Sequence, residues 1–205
     1  MAHRPRSDMI AETRTKLLAA ARRAFGTVGY ADAAMDDFTA EAGLTRGALY
    51  HHFGGKEGLL KAVIAEIDAE INVRLAAVSA RATNPWQGFV DECIAYIEMA
   101  LEPEVQRIML LDGPAVLGDP SAWPNQTACI RSLTASLQRF AALGVLPPLD
   151  AEAAARLLNG AMLSASLWIA NAPDPEATTR RAVGAFTLLI ESLRGATPAP
   201  APGTT

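Results

Sequence analysis

The chain has 205 residues, half of them apolar and a fifth charged, enough for one large or two modest cores and unlike a low-complexity chain. Its two cysteines, Cys93 and Cys129, are too few for a disulfide framework and lack metal-ligand spacing, and no run approaches the ~20 apolar residues of a membrane span. The net charge of −4 argues against a broad electrostatic grip on nucleic acid, but it is unevenly spread: residues 1–60 hold eight Lys/Arg and seven Asp/Glu, the rest ten and fifteen.

Ala is abundant, β-branched residues are scattered and nothing alternates with period two for long, so the expected class is all-α. The start MAHRPRSDMIAET lacks the continuous apolar core of a secretory signal, and a cytoplasmic location is expected. Its segment His3-Arg4-Pro5-Arg6 could serve as a basic arm into a minor groove, or be a plain disordered terminus.

From about Met9 to Val28, Leu17, Ala21, Ala24, Phe25 and Val28 share one helical face, and Gly29 is expected to stop that helix in the left-handed conformation. A second helix, about Met35 to Ala42, buries Met35, Phe38 and Thr39 or Ala42. Gly43 then supplies the positive φ of a sharp turn. Thr45 is a natural N-cap for a third, short helix, with Leu44 and Leu49 at the two positions of a hydrophobic staple.

On that third helix Leu49 and Phe53 point inward, which leaves Arg46, Gly47, Tyr50 and His51 outward. Arg46 can offer a bidentate fork to guanine O6 and N7. Gly47 and Ala48 carry almost no side chain, so the backbone can approach the groove floor or a thymine methyl. Thr45, Tyr50, His51 and the helix N-terminal amides can bond phosphates, and Lys56 is placed for one more. This is the pattern of a helix-turn-helix that docks on double-stranded DNA.

The run RTKLLAAARRAF, then Gly29-Tyr30, then AEAGLTRGALYHHFGGKEGLL resembles the DNA-binding domain of the TetR family of repressors over roughly Thr13 to Leu60. The resemblance implies an all-α homodimer: an N-terminal three-helix helix-turn-helix domain (1–55) joined by a long helix to a C-terminal ligand-binding and dimerisation domain (56–195), about nine helices in all. It also implies release from an operator when a small molecule, here an unknown inducer, binds. By position, the family's DNA contacts fall on Thr45, Arg46, Gly47, Tyr50, His51 and Lys56. Ala33 and Ala34 depart from the Thr or Ser that caps the second helix in many members, and Gly55 from the Ser or Thr that often caps the fourth.

The long helix is expected from Lys56 to about Arg81, with Leu60, Val63, Ile64, Ile67, Ile71, Leu75 and Val78 on one stripe. Asn84-Pro85 starts a fifth helix, broken by Pro103. A sixth runs from about Glu104 to Asp112 and ends at Gly113-Pro114, and a seventh from about Asn125 to Leu143. Two more start at Asp150 and at Asp174-Pro175, and the tail 196–205 is low-complexity and expected to be disordered.

Candidates for an apolar ligand pocket are Trp86, Phe89, Cys93, Tyr96, Met99, Met109, Trp123, Met162 and Trp168. In the family the last two helices pair with their mates across a two-fold axis. That points to Leu157, Ala161, Ser164, Ala165, Trp168, Val183, Phe186, Ile190 and Leu193 as the dimer interface. All three histidines lie in the DNA-binding half and no catalytic motif is visible beyond it, so neither an enzyme nor a metal or other cofactor is expected. Two other readings stay open: a TetR-like activator or regulator answering a protein partner, and a redox sensor acting through Cys93 and Cys129.

Overall fold

The computed structural model describes residues 6–195, so the expectations for the basic arm at His3-Arg4-Pro5 and for the tail 196–205 fall outside it. Among the described residues there are nine α-helices and no strand. They are α1 (Arg6–Asp32), α2 (Met35–Glu41), α3 (Arg46–Phe53), α4 (Lys56–Ser79), α5 (Pro85–Glu98), α6 (Gly113–Leu117), α7 (Pro124–Ala142), α8 (Ala151–Ala170) and α9 (Pro175–Gly195). A π-helix, Val105–Asp112, precedes α6. No helix is long and apolar enough to cross a membrane among the described residues.

The chain groups into two compact units. Among the described residues, one comprises those up to Glu70 with Glu102–Asp119, the other Ile71–Leu101 with those from Pro120 onward. In the first unit Leu17, Ala21 and Phe25 of α1, Phe38 of α2, Leu49 of α3 and Leu60 and Val63 of α4 are all buried. The Phe25 ring sits edge-on to Phe38 at 6.0 Å and tilted against Tyr30 at 5.5 Å.

Gly29 does break α1, but at φ 83, ψ 168 it is extended on the positive-φ side and not left-handed helical, and the chain makes one further turn to Asp32. Val28, expected in the core, is exposed. The segment that meets this end of α1 grips backbone there: Arg107 Nη2 donates to the Val28 carbonyl at 3.2 Å, and the Tyr30 amide donates to Asp112 Oδ2 at 2.7 Å. A Cβ at Gly29 would meet only the flexible end of the Arg107 side chain, so the positive φ is what calls for glycine there.

The helix expected to end at Gly113-Pro114 continues to Leu117. The Gly113 amide bonds the Ile108 carbonyl five residues back. This wider π turn admits Pro114, whose missing N–H and bulky ring an α-helical interior would not tolerate.

In the second unit the three residues expected to start helices cap them. Asn84 Oδ1 accepts from the Gln87 amide (2.9 Å), Asp150 Oδ1 from Ala153 (3.0 Å) and Asp174 Oδ1 from Ala177 (2.9 Å). Trp86, Phe89 and Phe140 stack within 5.3–5.7 Å, and Trp86 Nε1 donates to Glu191 at 3.0 Å, tying α5 to α9. Between α7 and α8, buried Asn159 donates to buried Gln126 at 2.9 Å, which satisfies both amides at that point.

Candidate functional site

The turn between α2 and α3 is built from backbone bonds. The Leu44 amide reaches the Thr39 carbonyl (2.8 Å) and the Gly43 amide the Ala40 carbonyl (2.9 Å), with Gly43 at φ 67. That is a Schellman closure, and it directs the chain straight into α3. Thr45 caps α3 by accepting from the Ala48 amide (3.3 Å). Its hydroxyl proton therefore remains available to a phosphate.

Ala34 makes no side-chain cap for α2, as its residue type requires. Gly54 (φ 73) ends α3, and Gly55 (φ 132), with no side chain to cap with, leads into α4. The seat of α3 depends on a glycine that sequence reading passed over. A Cβ at Gly58 would meet the Phe53 carbonyl oxygen at 1.8 Å, so α4 starts where only glycine fits against the end of α3.

Leu49 is fully buried, while Thr45, Arg46, Gly47, Tyr50 and His51 are exposed and Ala48 is half-buried. The structure therefore brings six of the seven sequence candidates onto one short helix and its cap. Gly47 has only the Thr45 hydroxyl within 4 Å of where a Cβ would stand, so nothing above it blocks close approach.

Lys56 behaves differently. Its ammonium bonds the Tyr30 carbonyl, lies 3.4 Å from that of Ala31 and sits 4.4 Å from the Tyr30 ring centre. Burial pulls its pKa below the ordinary lysine value, partly offset by Asp32 and Asp112. The geometry gives Lys56 a structural task, closing the carbonyls at the end of α1, in place of the simple outward phosphate contact expected.

Arg46 also has a partner. Its Nη2 donates to Asp36 Oδ2 at 2.6 Å and its Nε to Asp36 Oδ1, a bidentate pair that raises the arginine pKa. Arg22 is a hub that helical spacing in the sequence does not reveal. It is bidentate to Glu70 and to Glu104, all four bonds at 2.7 Å, and reaches Glu66 at 3.1 Å, so it clamps α1 to α4 and to the start of the π-helix segment.

In the second unit a cavity of about 70 Å³ is lined by Leu75, Phe89, Glu92, Cys93, Tyr96, Cys129, Ser132, Leu133, Ser136 and Met162. Four of the nine expected pocket residues, Phe89, Cys93, Tyr96 and Met162, are on its wall. Trp86 belongs to the aromatic cluster, Met99 is buried elsewhere in α5's continuation, and Met109 lies in the first unit. Trp123 is half-buried off the wall with its indole N–H unpartnered. Trp168 is 45% exposed with Arg181 5.0 Å above its ring, hence a surface residue.

The polar part of the wall was not legible in sequence. Glu92 is half-buried, and desolvation raises its carboxyl pKa against a lowering hydrogen bond with Ser79. Burial pushes the Cys93 thiol far up as well, which keeps it protonated and poorly nucleophilic.

On α8 and α9 the exposed positions recur at helical spacing: Leu157, Gly160, Ser164 and Trp168 on one, Arg181, Gly184, Ala185 and Leu188 on the other. Leu157 is 75% and Leu188 76% exposed. Phe186 and Ile190, expected on an outer face, are enclosed in the unit's own core, and Ala161, Ala165, Val183 and Leu193 are half-buried. The outward face of α9 is rotated from the expected one: Phe186 and Ile190 are on its buried side, and α9 packs on α5 and α8.

An all-α chain whose N-terminal unit presents a capped, exposed third helix after a Schellman turn has the build of a helix-turn-helix DNA-binding regulator. Residues 17–63 match the family of bacterial regulatory proteins named for tetR, and residues 86–193 match the tetracyclin repressor-like C-terminal domain. The HTH-type transcriptional regulator BetI 2 of Chromohalobacter salexigens is 30% identical over 186 residues, 84% of this chain and 83% of that one. The regulator SrpR of Pseudomonas putida is 46% identical over 54 residues, 26% of this chain and a quarter of its own length.

A crystal structure of a TetR-family transcriptional regulator from Pectobacterium atrosepticum superposes with a TM-score of 0.84 at 48% identity, covering 93% of this chain and 97% of that one. The chain belongs to the TetR family of DNA-binding transcriptional regulators, and not to the enzymes.

Proposed function

We propose that the protein is a homodimeric repressor that reads a pseudo-palindromic operator with two copies of α3 and leaves it when a small, largely apolar molecule enters the second unit. The observation that carries the DNA half is the outward set Thr45, Arg46, Gly47, Tyr50 and His51, with half-buried Ala48 beside them, on a helix whose opposite face is anchored by buried Leu49. Arg46 reads a guanine in each half-site, and Thr45, Tyr50 and His51 hold phosphates.

Dimer formation is supported by the outward face of α8 and α9. A Cβ at Gly160 or Gly184 would meet nothing within 4 Å, so the protomer's own packing does not ask for glycine there. A second copy pressed against Leu157, Ser164, Ala185 and Leu188 would supply the reason. Such a dimer sets the two α3 copies about one helical turn of DNA apart, or a little more.

The ligand reading is supported by the cavity at Phe89, Tyr96 and Met162. At about 70 Å³ it is well below the few hundred Å³ of a settled ligand site, so occupancy must widen it. A molecule that binds the widened state better shifts the population toward it, while equal affinity for both states would shift nothing.

Selection of binding sites from random duplexes tests the core of the reading. An enriched pseudo-palindrome is expected for the wild type. Arg46→Ala should lose about 1–3 kcal/mol on it and relax one base position per half-site. Enrichment of the same sequence with undiminished preference by Arg46→Ala would sink the direct readout.

A further inference from the structure

We propose that Asp36 is a positioning and specificity-determining residue for DNA recognition: it holds the Arg46 guanidinium by one edge and leaves the other edge presented for a guanine. This rests on the reading of Arg46 given above. The two residues stand on different helices, ten positions apart, so their meeting is a property of the turn at Gly43 and not of either helix alone.

The atoms decide the matter. A planar guanidinium has five N–H donors and two bidentate edges, one formed by Nε and Nη2 and the other by Nη1 and Nη2. Asp36 Oδ1 and Oδ2 take the Nε/Nη2 edge. The Nη1/Nη2 edge, with two parallel N–H bonds, keeps the geometry that matches O6 and N7 of guanine. A flexible arginine with no such partner would have to lose its rotamer freedom at the moment of binding. One held by Asp36 has lost part of it beforehand.

Asp36 is itself well seated. It lies in the first turn of α2, whose next turn is pinned by Phe38 and Thr39, both buried. Thr39 Oγ1 donates to the carbonyls of Met35 (2.7 Å) and Asp36 (3.2 Å), which fixes the turn that carries the carboxylate.

An opposing effect has to be separated out. A carboxylate beside DNA repels phosphates, so its removal strengthens binding to any sequence. Asp37 provides the control, since it carries the same charge in the same first turn of α2. The measurement is the ratio of affinity for the selected operator to that for the operator with the Arg46-read guanine replaced. It is taken for wild type, Asp36→Asn, Asp37→Asn, Arg46→Ala and the Asp36→Asn/Arg46→Ala double variant.

Wild type should discriminate by roughly 5- to 150-fold. Asp37→Asn should keep that ratio, and Asp36→Asn should reduce it at least about 3-fold while binding all sequences as well as Asp37→Asn does. The double variant should match Arg46→Ala alone, as expected of residues that act as one unit. Asp36 is mostly exposed, so matching thermal midpoints for the two Asn variants check the fold, and Asp36→Ser repeats the test if Asp36→Asn melts early.

If Asp36→Asn tightens binding and keeps the full ratio, Asp36 is only a resting partner for Arg46 and the proposal is overturned while the readout by Arg46 stands. If Arg46→Ala keeps the ratio, the readout by Arg46 fails and the role of Asp36 falls with it.

Discussion

Two exposed surfaces of this protein carry opposite chemistry. Helix α3 turns polar and small residues outward from a seat at buried Leu49, whereas the outward stripe of α8 and α9 is led by leucines and glycines, with Ser164, Trp168 and Arg181 among them, over a core already filled by Phe186 and Ile190. The first surface suits a wet, charged groove, where a few placed hydrogen bonds decide sequence. The second suits a dry, self-complementary partner, where close backbone approach and apolar area decide affinity. Each half of the chain is therefore legible by what it leaves unburied.

The largest effect is expected from spoiling the dry face and reading the result at the wet one. Leu188→Asp should give a folded monomer by light scattering. It should cost operator affinity about 10²–10⁴-fold, because a second half-site then binds without the effective concentration of a linked partner. A monomer that keeps wild-type operator affinity would uncouple the two surfaces.

A middle-sized effect probes the seat of α3. Gly58→Ala sets a methyl against the Phe53 carbonyl and should destabilise the first unit by about 1–3 kcal/mol. The substitution touches no DNA-facing residue, yet operator binding should fall with the thermal midpoint. Unchanged values for both would show that the start of α4 yields easily.

The smallest effect belongs to the cavity. Glu92 has its pKa raised on folding, so the native state holds its proton to higher pH than the unfolded chain does. Stability from this group is complete below the unfolded value and is lost as pH rises through the folded one. Glu92→Gln should therefore flatten the fall in stability just above the usual carboxylate range and raise the midpoint slightly at neutral pH. A steeper fall in denaturant titrations across that range would reverse the assignment.

Much of the first unit could be read residue by residue, since its signals are local. Gly43 marks the turn and Thr45 the cap, each through bonds within five residues of itself, and Leu49 stands on the apolar face that helical spacing marks. The same holds for the caps Asn84, Asp150 and Asp174. The reading failed where a side chain's fate depends on a distant element. Phe186 and Ile190 are as apolar as Leu157 and Leu188, and periodicity alone does not say which of two apolar faces another helix will cover.

The class of fold, the helix-turn-helix and the identity of the outward residues on α3 follow from local sequence. The periodicity, caps and turn glycines that encode them are near-neighbour effects. What the charged side chains do at rest depends on the assembled helices: Arg46 lies on Asp36, Lys56 turns to the Tyr30 carbonyl, and Arg22 clamps three acidic side chains from two other segments. Charges so far apart in sequence meet only after the apolar seat has set the helices in place.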